Sequence, residues 1–552
     1  MKTMFKNIKT KIRHFFQLLF CLTLASCSDQ LDLIPETAVT DASFWKTPAD
    51  LISASNALYL NLPVIANSYE DNYSDIAYAT APNSVSDGSR LAPATSTDWS
   101  SNYTLIRRSN TILEKAPSVV GDQVVIDKAK GEASFFRAWA YFELVKRYGD
   151  VPLILRTFDL GDSLNTAHKS PREMVVKQIL SDLDYAVSVL PEIDAQPAAE
   201  YGRITKGAAL SFKSTVALFE GTRQKFFGYG NSSENLKIAM ESAGAVIASG
   251  KYDLYKHPTK PDSSYFYLFQ FAGEGKQNKE NVLVRLYGKD VVTKIVTHNV
   301  SGNIEQAYMT PTKALLDMYL YKDGLPLGKS AFSKTQTSTM TQFENRDPRG
   351  GMTVFNKNLW YATNYYVPNF SFSVTGYKVA KWFNKPDWDN GSFTDFAIIR
   401  YAEVLLNYAE ATYELNGSVS DEVLDNTINK LRNRSGKSTV APLTNSFVTT
   451  NGLDMRTEIR RERTIELAME GKRYWDLLRW KTAETELPKP ILGTKYFPAE
   501  QGTLKDPNLT ADGFIIVQPT EKRKFLSNRD YLWPIPTTEF AFDPNLTPNP
   551  NW

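Results

Sequence analysis

The chain has little cysteine and little histidine, and both shortages narrow its chemistry. Of 552 residues, two are cysteine and four histidine. Cys21 and Cys27 both stand in the first 27 residues, so the body of the chain can form no internal disulfide and no cysteine-based metal site. His14, His168, His257 and His298 are far apart in sequence and leave little material for zinc. Strong charge is absent as well. Residues 1–26 carry five basic side chains and no acidic one, so taking five from the overall +2 leaves −3 on the remainder. That balance gives no electrostatic footprint for nucleic acid. After residue 26 no apolar run is long enough to span a membrane. The chain also lacks a Gly-x-Ser-x-Gly elbow, a His-Glu-x-x-His zinc pattern and a phosphate-binding glycine loop with its lysine.

What is present begins at the start. Lys2, Lys6, Lys9, Lys11 and Arg13 precede an apolar run from Phe15 to Ala25. A basic segment, a short apolar one and then small residues form an export signal, and the run is about half the roughly 20 residues of a spanning helix. Leu24-Ala25-Ser26-Cys27 is similar to the bacterial lipobox, in which the cysteine becomes the first mature residue and carries acyl groups. The alternative is an ordinary signal peptide that happens to hold two cysteines. Two or three acyl chains, at about 0.8 kcal/mol per buried CH2, anchor a protein firmly. Residues 1–26 are therefore expected to be a signal, Cys27 the lipid attachment site, 27–40 a tether and 41–552 a single domain.

The clearest segments of that domain have helical period. In 132–148, Phe135, Ala138, Trp139, Phe142 and Val145 form one stripe, and Gly149 and Pro152 supply the stop. Over 170–190, Ser170 reads as the N-cap, Pro171 as the first helical residue and Pro191 as the end. Residues 206–223, 398–415, 421–434 and 456–480 read as four more helices. In the second of these, Ile398, Tyr401, Leu405, Tyr408, Thr412 and Leu415 alternate steps of three and four before Gly417. Small residues recur where helices would cross, among them Ala138, Ala140, Ala208, Ala209, Ala402 and Ala409. The fold class is all-α: stacked helical hairpins of tetratricopeptide type, without a strict 34-residue repeat. The second half is expected to be loop-rich and mostly irregular. About 256–394 is rich in Tyr, Phe, Trp, Asn, Gly and Thr, with a helical stripe only near 311–321 and a short strand at 282–287. Residues 488–552 also read as loop. Long loops on a rigid scaffold carry function.

Several phrases in fixed order now identify a resemblance. They include Gly131-Glu-Ala-Ser-Phe-Phe-Arg-Ala-Trp-Ala-Tyr-Phe-Glu-Leu144, Tyr148-Gly-Asp-Val-Pro-Leu153 and Gly202-Arg-Ile-Thr-Lys-Gly-Ala-Ala209. Asn345-Arg-Asp-Pro-Arg349, Arg400-Tyr-Ala-Glu-Val-Leu-Leu-Asn-Tyr-Ala-Glu-Ala411 and Glu470-Gly-Lys-Arg-Tyr-Trp-Asp-Leu-Leu-Arg-Trp480 follow, with Leu532-Trp-Pro-Ile-Pro536 near the end. The chain resembles the SusD/RagB family from Phe44-Trp45 to Trp552. The resemblance implies a cell-surface outer-membrane lipoprotein of Bacteroidetes-type bacteria, facing the exterior. It would bind nutrient oligosaccharide and act with a SusC-like TonB-dependent transporter. It also implies the tetratricopeptide-like scaffold.

Arg400, Glu403, Glu410, Arg460, Arg461, Glu462, Arg463, Glu466 and Glu470 recur at helical spacing with like charges adjacent. That pattern favours partners on other helices, and the resemblance makes these residues the packing of the helix stack. Trp475, Trp480 and Trp533 read as scaffold anchors. The ligand face rests on other chemistry. Sugars present flat C–H faces and a rim of hydroxyls, so a receptor needs aromatic platforms edged by Asn, Asp or Arg. Two clusters fit: Tyr69 to Asp75 with Arg90, Asp98 and Trp99, and Asn358 to Tyr366 with Trp382, Trp388 and Asn390. The expected contacts are Asn72, Tyr73, Asp75, Arg90, Trp99, Trp360, Tyr361, Asn364, Tyr365, Tyr366 and Trp382; the resemblance supports them by region only. Trp99 has a second reading, because with Tyr103, Ile106 and Asn110 it lies at helical spacing. No catalytic residue, metal site or cofactor is assigned, and a structural calcium bracing a loop stays open because Asp and Asn are scattered throughout. Two or three platforms at about 1–2 kcal/mol each would give a total near ~4–6 kcal/mol, a Kd from about millimolar to tens of micromolar.

Three functions follow: an oligosaccharide receptor serving a transporter, the same uptake role with peptide or glycopeptide cargo, and a helical-repeat scaffold without a small-molecule ligand. A secreted hydrolase is the weakest alternative.

Overall fold

The computed structural model describes residues 44–159, 161–288, 297–356, 359–361, 364–366, 370, 373–386, 392–434 and 440–552. The signal, Cys27 and the tether, together with Asn358, Trp388 and Asn390, lie outside the described residues.

Among the described residues nine α-helices are seven residues or longer: α1 (Pro48–Leu58), α2 (Thr97–Lys115), α3 (Gln123–Tyr148), α4 (Arg172–Val189), α5 (Lys206–Phe227), α6 (Ser232–Ala248), α7 (Tyr401–Asn416), α8 (Met455–Glu466) and α9 (Arg473–Arg479). From α2 to α8 each helix packs on the next, while α9 returns to α5. This is the stacked helical-hairpin scaffold that the periodicity predicts. Close approach needs small residues. Ala133, Ala138 and Ala140 of α3 and Ala208 and Ala209 of α5 are fully buried, and a Cβ added to Gly221 of α5 would lie 2.9 Å from the Leu236 backbone nitrogen of α6. Aromatic residues fill the layer between α3 and α5. Trp139 and Phe212 stack with centroids 4.5 Å apart at 25°, a pair worth roughly 0.5–1.5 kcal/mol beyond its buried area. The largest apolar core runs from Leu51 to Leu546 and so joins both halves of the chain.

Among the described residues there are four two-stranded antiparallel sheets. They pair β1 (Ala77–Tyr78) with β3 (Thr310–Pro311), β2 (Asn281–Arg285) with β6 (Phe396–Arg400), β4 (Trp360–Tyr361) with β5 (Asn364–Tyr365), and β7 (Ile491–Lys495) with β8 (Phe514–Gln518). Among the described residues of 256–394 no helix exceeds six residues. The last sheet corrects the reading of residues 488–552 as loop alone.

Four boundaries differ from those expected, each for a tertiary reason. Ile398 is on β6 and not in a helix, because Ile399 and Ala397 pair with Leu283 and Val284 of β2. Ser170 is not a cap: it bridges to Val151, and the Asp150 carboxylate accepts the Arg172 backbone N–H at 2.8 Å. The helix expected at 456–480 breaks into α8 and α9 at Met469 and Gly471, both with positive φ. The one at 421–434 breaks at Thr427 into Asp421–Asn426 and Ile428–Arg432.

Candidate ligand-binding cleft

A cleft of about 370 Å³ lies between α2, α3, α5, α9 and the segment around Leu60–Glu70. Its walls follow from helical spacing. Trp139, Phe142 and Lys146 succeed one another along α3, and Asp98, Asn102 and Leu105 along α2. Phe212 and Phe219 of α5 and Trp475 of α9 also line the cleft. Gly471, at φ +74°, lets the backbone before α9 run against Asn67 and Ser68.

Arg147 organises the charges. It pairs with Glu70 at 2.6 Å, with Asp98 at 3.4 Å and with Glu143, and its guanidinium lies 4.8 Å from the Trp475 ring centroid. Trp475 in turn donates its indole N–H to Glu70 Oε2 at 2.6 Å. Lys146 pairs with Glu143 at 2.7 Å and stands 4.5 Å from the Trp475 ring centroid. Burial pushes the Glu143 carboxyl up, but Lys146 and Arg147 together outweigh it and hold the group below its ordinary range. Burial also pulls Lys146 down, helped by Arg147 and opposed by Glu143. Further in, Lys472 pairs with Glu403 at 3.1 Å, Arg463 with Asp476 at 2.9 Å and Arg479 with Glu410 at 2.6 Å. Every cation that lines the cleft thus has a carboxylate partner. The cleft offers ring faces, carboxylate oxygens and the Asn102 amide, whose Nδ2 already donates to the Asp98 carbonyl at 2.6 Å, a set suited to a ligand of C–H faces and hydroxyls.

The structure divides the expected contacts. Trp382 is 1% exposed and donates its indole N–H to the Met469 carbonyl at 2.9 Å. Trp99, 4% exposed, packs edge-on to Tyr148 at 5.1 Å. Tyr366 is buried and donates to the Gly376 carbonyl at 3.2 Å. Asp75 is buried and held by Arg473 at 2.9 Å, and Asn72 is buried and donates to the Tyr308 carbonyl at 2.9 Å. All five lie inside the protein; the polar groups named are engaged there, except that Asn72 Oδ1 meets no donor. Tyr73 and Arg90 are half-buried beside the C-terminal tail. Tyr73 meets Tyr474 and Trp533 edge-on, and the Arg90 guanidinium lies 3.6 Å from the Trp533 ring centroid. Trp360 pairs with Tyr365, and Tyr361 with Asn364, in the backbone register of β4 and β5. From the first cluster, Asp98 and Glu70 do reach the cleft. Trp139, Phe142 and Asn102 went unrecognised because a helical stripe reads as core; the density of rings along α3 was the available signal. Among the described residues no group of three or more His, Cys, Asp or Glu is placed to hold a metal ion, and no helix is long and apolar enough to cross a membrane.

Comparison with known proteins is consistent across the chain. The profile described as the SusD family matches residues 272–552, and one described as starch-binding associating with outer membrane matches residues 35–218. SusD-like protein P2 of Formosa agariphila is 26% identical, over 96% of this chain and 97% of its own length. The crystal structure of a SusD-like carbohydrate binding protein from Bacteroides fragilis superposes with a TM-score of 0.75 at 24% identity, covering 92% of this chain and 100% of that one. A laminarin binding SusD-like protein superposes with a TM-score of 0.62 at 20% identity, with 92% and 100% covered.

Proposed function

Because the chain belongs to the SusD family, we propose that it is a cell-surface receptor that binds nutrient oligosaccharide and passes it to a SusC-like TonB-dependent transporter in the outer membrane. The observation that carries the ligand class is the cleft: aromatic walls, a rim of Asp98 and Asn102, and no cation without a carboxylate partner. A peptide terminus would need a free charge there, whereas sugar hydroxyls can donate to the carboxylates already in place. The carbohydrate-binding and laminarin-binding relatives support the same class. The receptor is held to the membrane through Cys27, where tethering keeps ligand and transporter at millimolar effective concentration, so modest affinity suffices. Trp360, Tyr361, Asn364 and Tyr365 of the β4–β5 pair remain part of the proposal as a second contact set.

The test is calorimetric titration of the full-length chain in detergent with a panel of neutral oligosaccharides and short peptides. Asp98→Ala and Asn102→Ala should each weaken oligosaccharide binding about tenfold with little change in melting temperature, a loss of about 1.4 kcal/mol. Unchanged affinity in both variants, with loss in Trp360→Ala, would move the site to the hairpin. Binding of peptides alone would reverse the cargo.

A further inference from the structure

A second cleft, of about 550 Å³, opens where the end of α3, the start of α4, the last turn of α5 and residues 547–550 meet. Arg172 and Arg223 line it, each 8% exposed. The Arg172 guanidinium is in use: Nε donates to Glu220 Oε2 at 2.6 Å and Nη1 to the Val145 carbonyl at 2.8 Å, while Nη2 meets no acceptor. Arg223 is different. Among the described residues it forms no ion pair, its Nε meets no acceptor, and its guanidinium lies 4.3 Å from the Phe227 ring centroid. Its nearby polar groups are Tyr229, which hydrogen-bonds to it and whose hydroxyl also donates to Glu220 Oε1 at 3.0 Å, and Glu220, whose charge acts on it from beyond ion-pair distance. Burial, reinforced by Arg172, pushes Arg223 down to about 10, which leaves it a cation at neutral pH.

Two of the three neighbouring carboxylates are engaged by the protein, and the third lines the cleft at its solvent edge. Glu220 serves Arg172 and Tyr229, Asp150 accepts the Arg172 backbone N–H, and Glu173 stands exposed at the rim. Across the cleft, Lys169 donates to neutral acceptors, the Thr547 carbonyl at 3.1 Å and Asn549 Oδ1 at 3.5 Å, with the Asp150 carboxylate acting on it from beyond ion-pair distance. A buried cation without a counter-charge is destabilising, and a planar guanidinium fork matches a planar or tetrahedral oxyanion. We propose that this cleft is a binding site for one oxyanionic group, a carboxylate or a sulfate ester, received by Arg223 with Lys169 opposite and Arg172 behind. It is separate from the cleft described above, although Phe219 lines that one and Arg223, one turn further along α5, lines this one. The proposal does not rest on the oligosaccharide reading.

The test uses the full-length chain in detergent at constant ionic strength, with sodium sulfate and sodium glucuronate as probes and glucose as the neutral control. A saturable rise in melting temperature and a calorimetric Kd are expected for one or both anions and not for glucose. Response to glucuronate alone assigns a carboxylate site, and response to sulfate alone a sulfate site. Arg223→Gln should weaken the responding anion at least tenfold, and without ligand it should melt at or above the wild-type temperature because an uncompensated buried charge is gone. Lys169→Gln, altered at a half-buried position, should weaken it severalfold and serves if Arg223→Gln fails to fold. No response to either anion, an equal response to glucose, or wild-type affinity in Arg223→Gln (or in Lys169→Gln, where that is the variant that folds) overturns the proposal.

Discussion

Arg400, the last residue of β6, donates from Nε and Nη2 to the two carboxylate oxygens of Glu470 at 2.9 and 2.6 Å, with both side chains buried. The pair belongs to a larger network. Arg400 also reaches Glu280 at 2.6 Å, Arg434 reaches Glu466 at 2.6 Å, Arg349 reaches Glu462 and Glu466 at 2.6 and 2.9 Å, and Lys381 reaches Glu470 at 2.6 Å. These contacts tie the loop-rich half to α8 and hence to the helix stack. Removing one partner strands the others in the interior, so Glu466→Ala should cost about 3–5 kcal/mol. Equilibrium denaturation would measure it, and a cost below that of a surface pair would show that the network does not join the halves.

The same carboxylates set an acid limit on stability. Burial raises the Glu466 carboxyl, but Arg434, Arg400 and Arg349 outweigh it and bring it from 4.5 to about 2. Burial raises Glu410 too, and Arg479 and Arg463 bring it to about 2. Below 4.5 the unfolded chain binds more protons than the folded one, so this stabilisation is full above about pH 5 and is lost as pH falls toward 2. Unfolding free energy followed from pH 7 to 3 should drop steeply below 4.5. The drop should be shallower in Glu410→Gln, which no longer titrates at that position.

Trp382 tests the distinction between a ligand platform and an interior ring. Trp382→Phe removes the donor to the Met469 carbonyl and leaves that acceptor buried. The expected cost is about 1–3 kcal/mol of stability, read by thermal or chemical unfolding, with oligosaccharide affinity unchanged. A selective loss of affinity without loss of stability would return Trp382 to the binding surface.

Gly471 holds the turn between α8 and α9 at φ +74°, and an added Cβ would lie 2.4 Å from the Asn67 carbonyl oxygen. Its N–H also donates to Asp71 Oδ2 at 3.1 Å. Gly471→Ala should therefore cost about 1–3 kcal/mol or more in backbone strain. Because Gly471 lines the proposed ligand cleft, oligosaccharide affinity should fall with it. Wild-type melting temperature in this variant would show that the turn has room to relax.

The helical scaffold is legible in the order of residues alone, because side-chain periodicity is local: the stripe Phe135, Ala138, Trp139, Phe142 and Val145 specifies α3 wherever that helix packs. The same order also specifies that the repeated charges of α7 and α8 need partners beyond their own helices. Where those partners lie depends on the packed chain, since Glu280, Arg349 and Lys381 come from segments without helical or strand period long enough to place them. The packed chain decides as well that Ile398 pairs across a sheet, because the choice between strand and helix there depends on β2, more than a hundred residues away. The ligand surface was the least legible part. A tryptophan looks the same in sequence whether it is 1% exposed like Trp382 or lines a cleft like Trp139, and only burial, which is set by the whole fold, tells them apart.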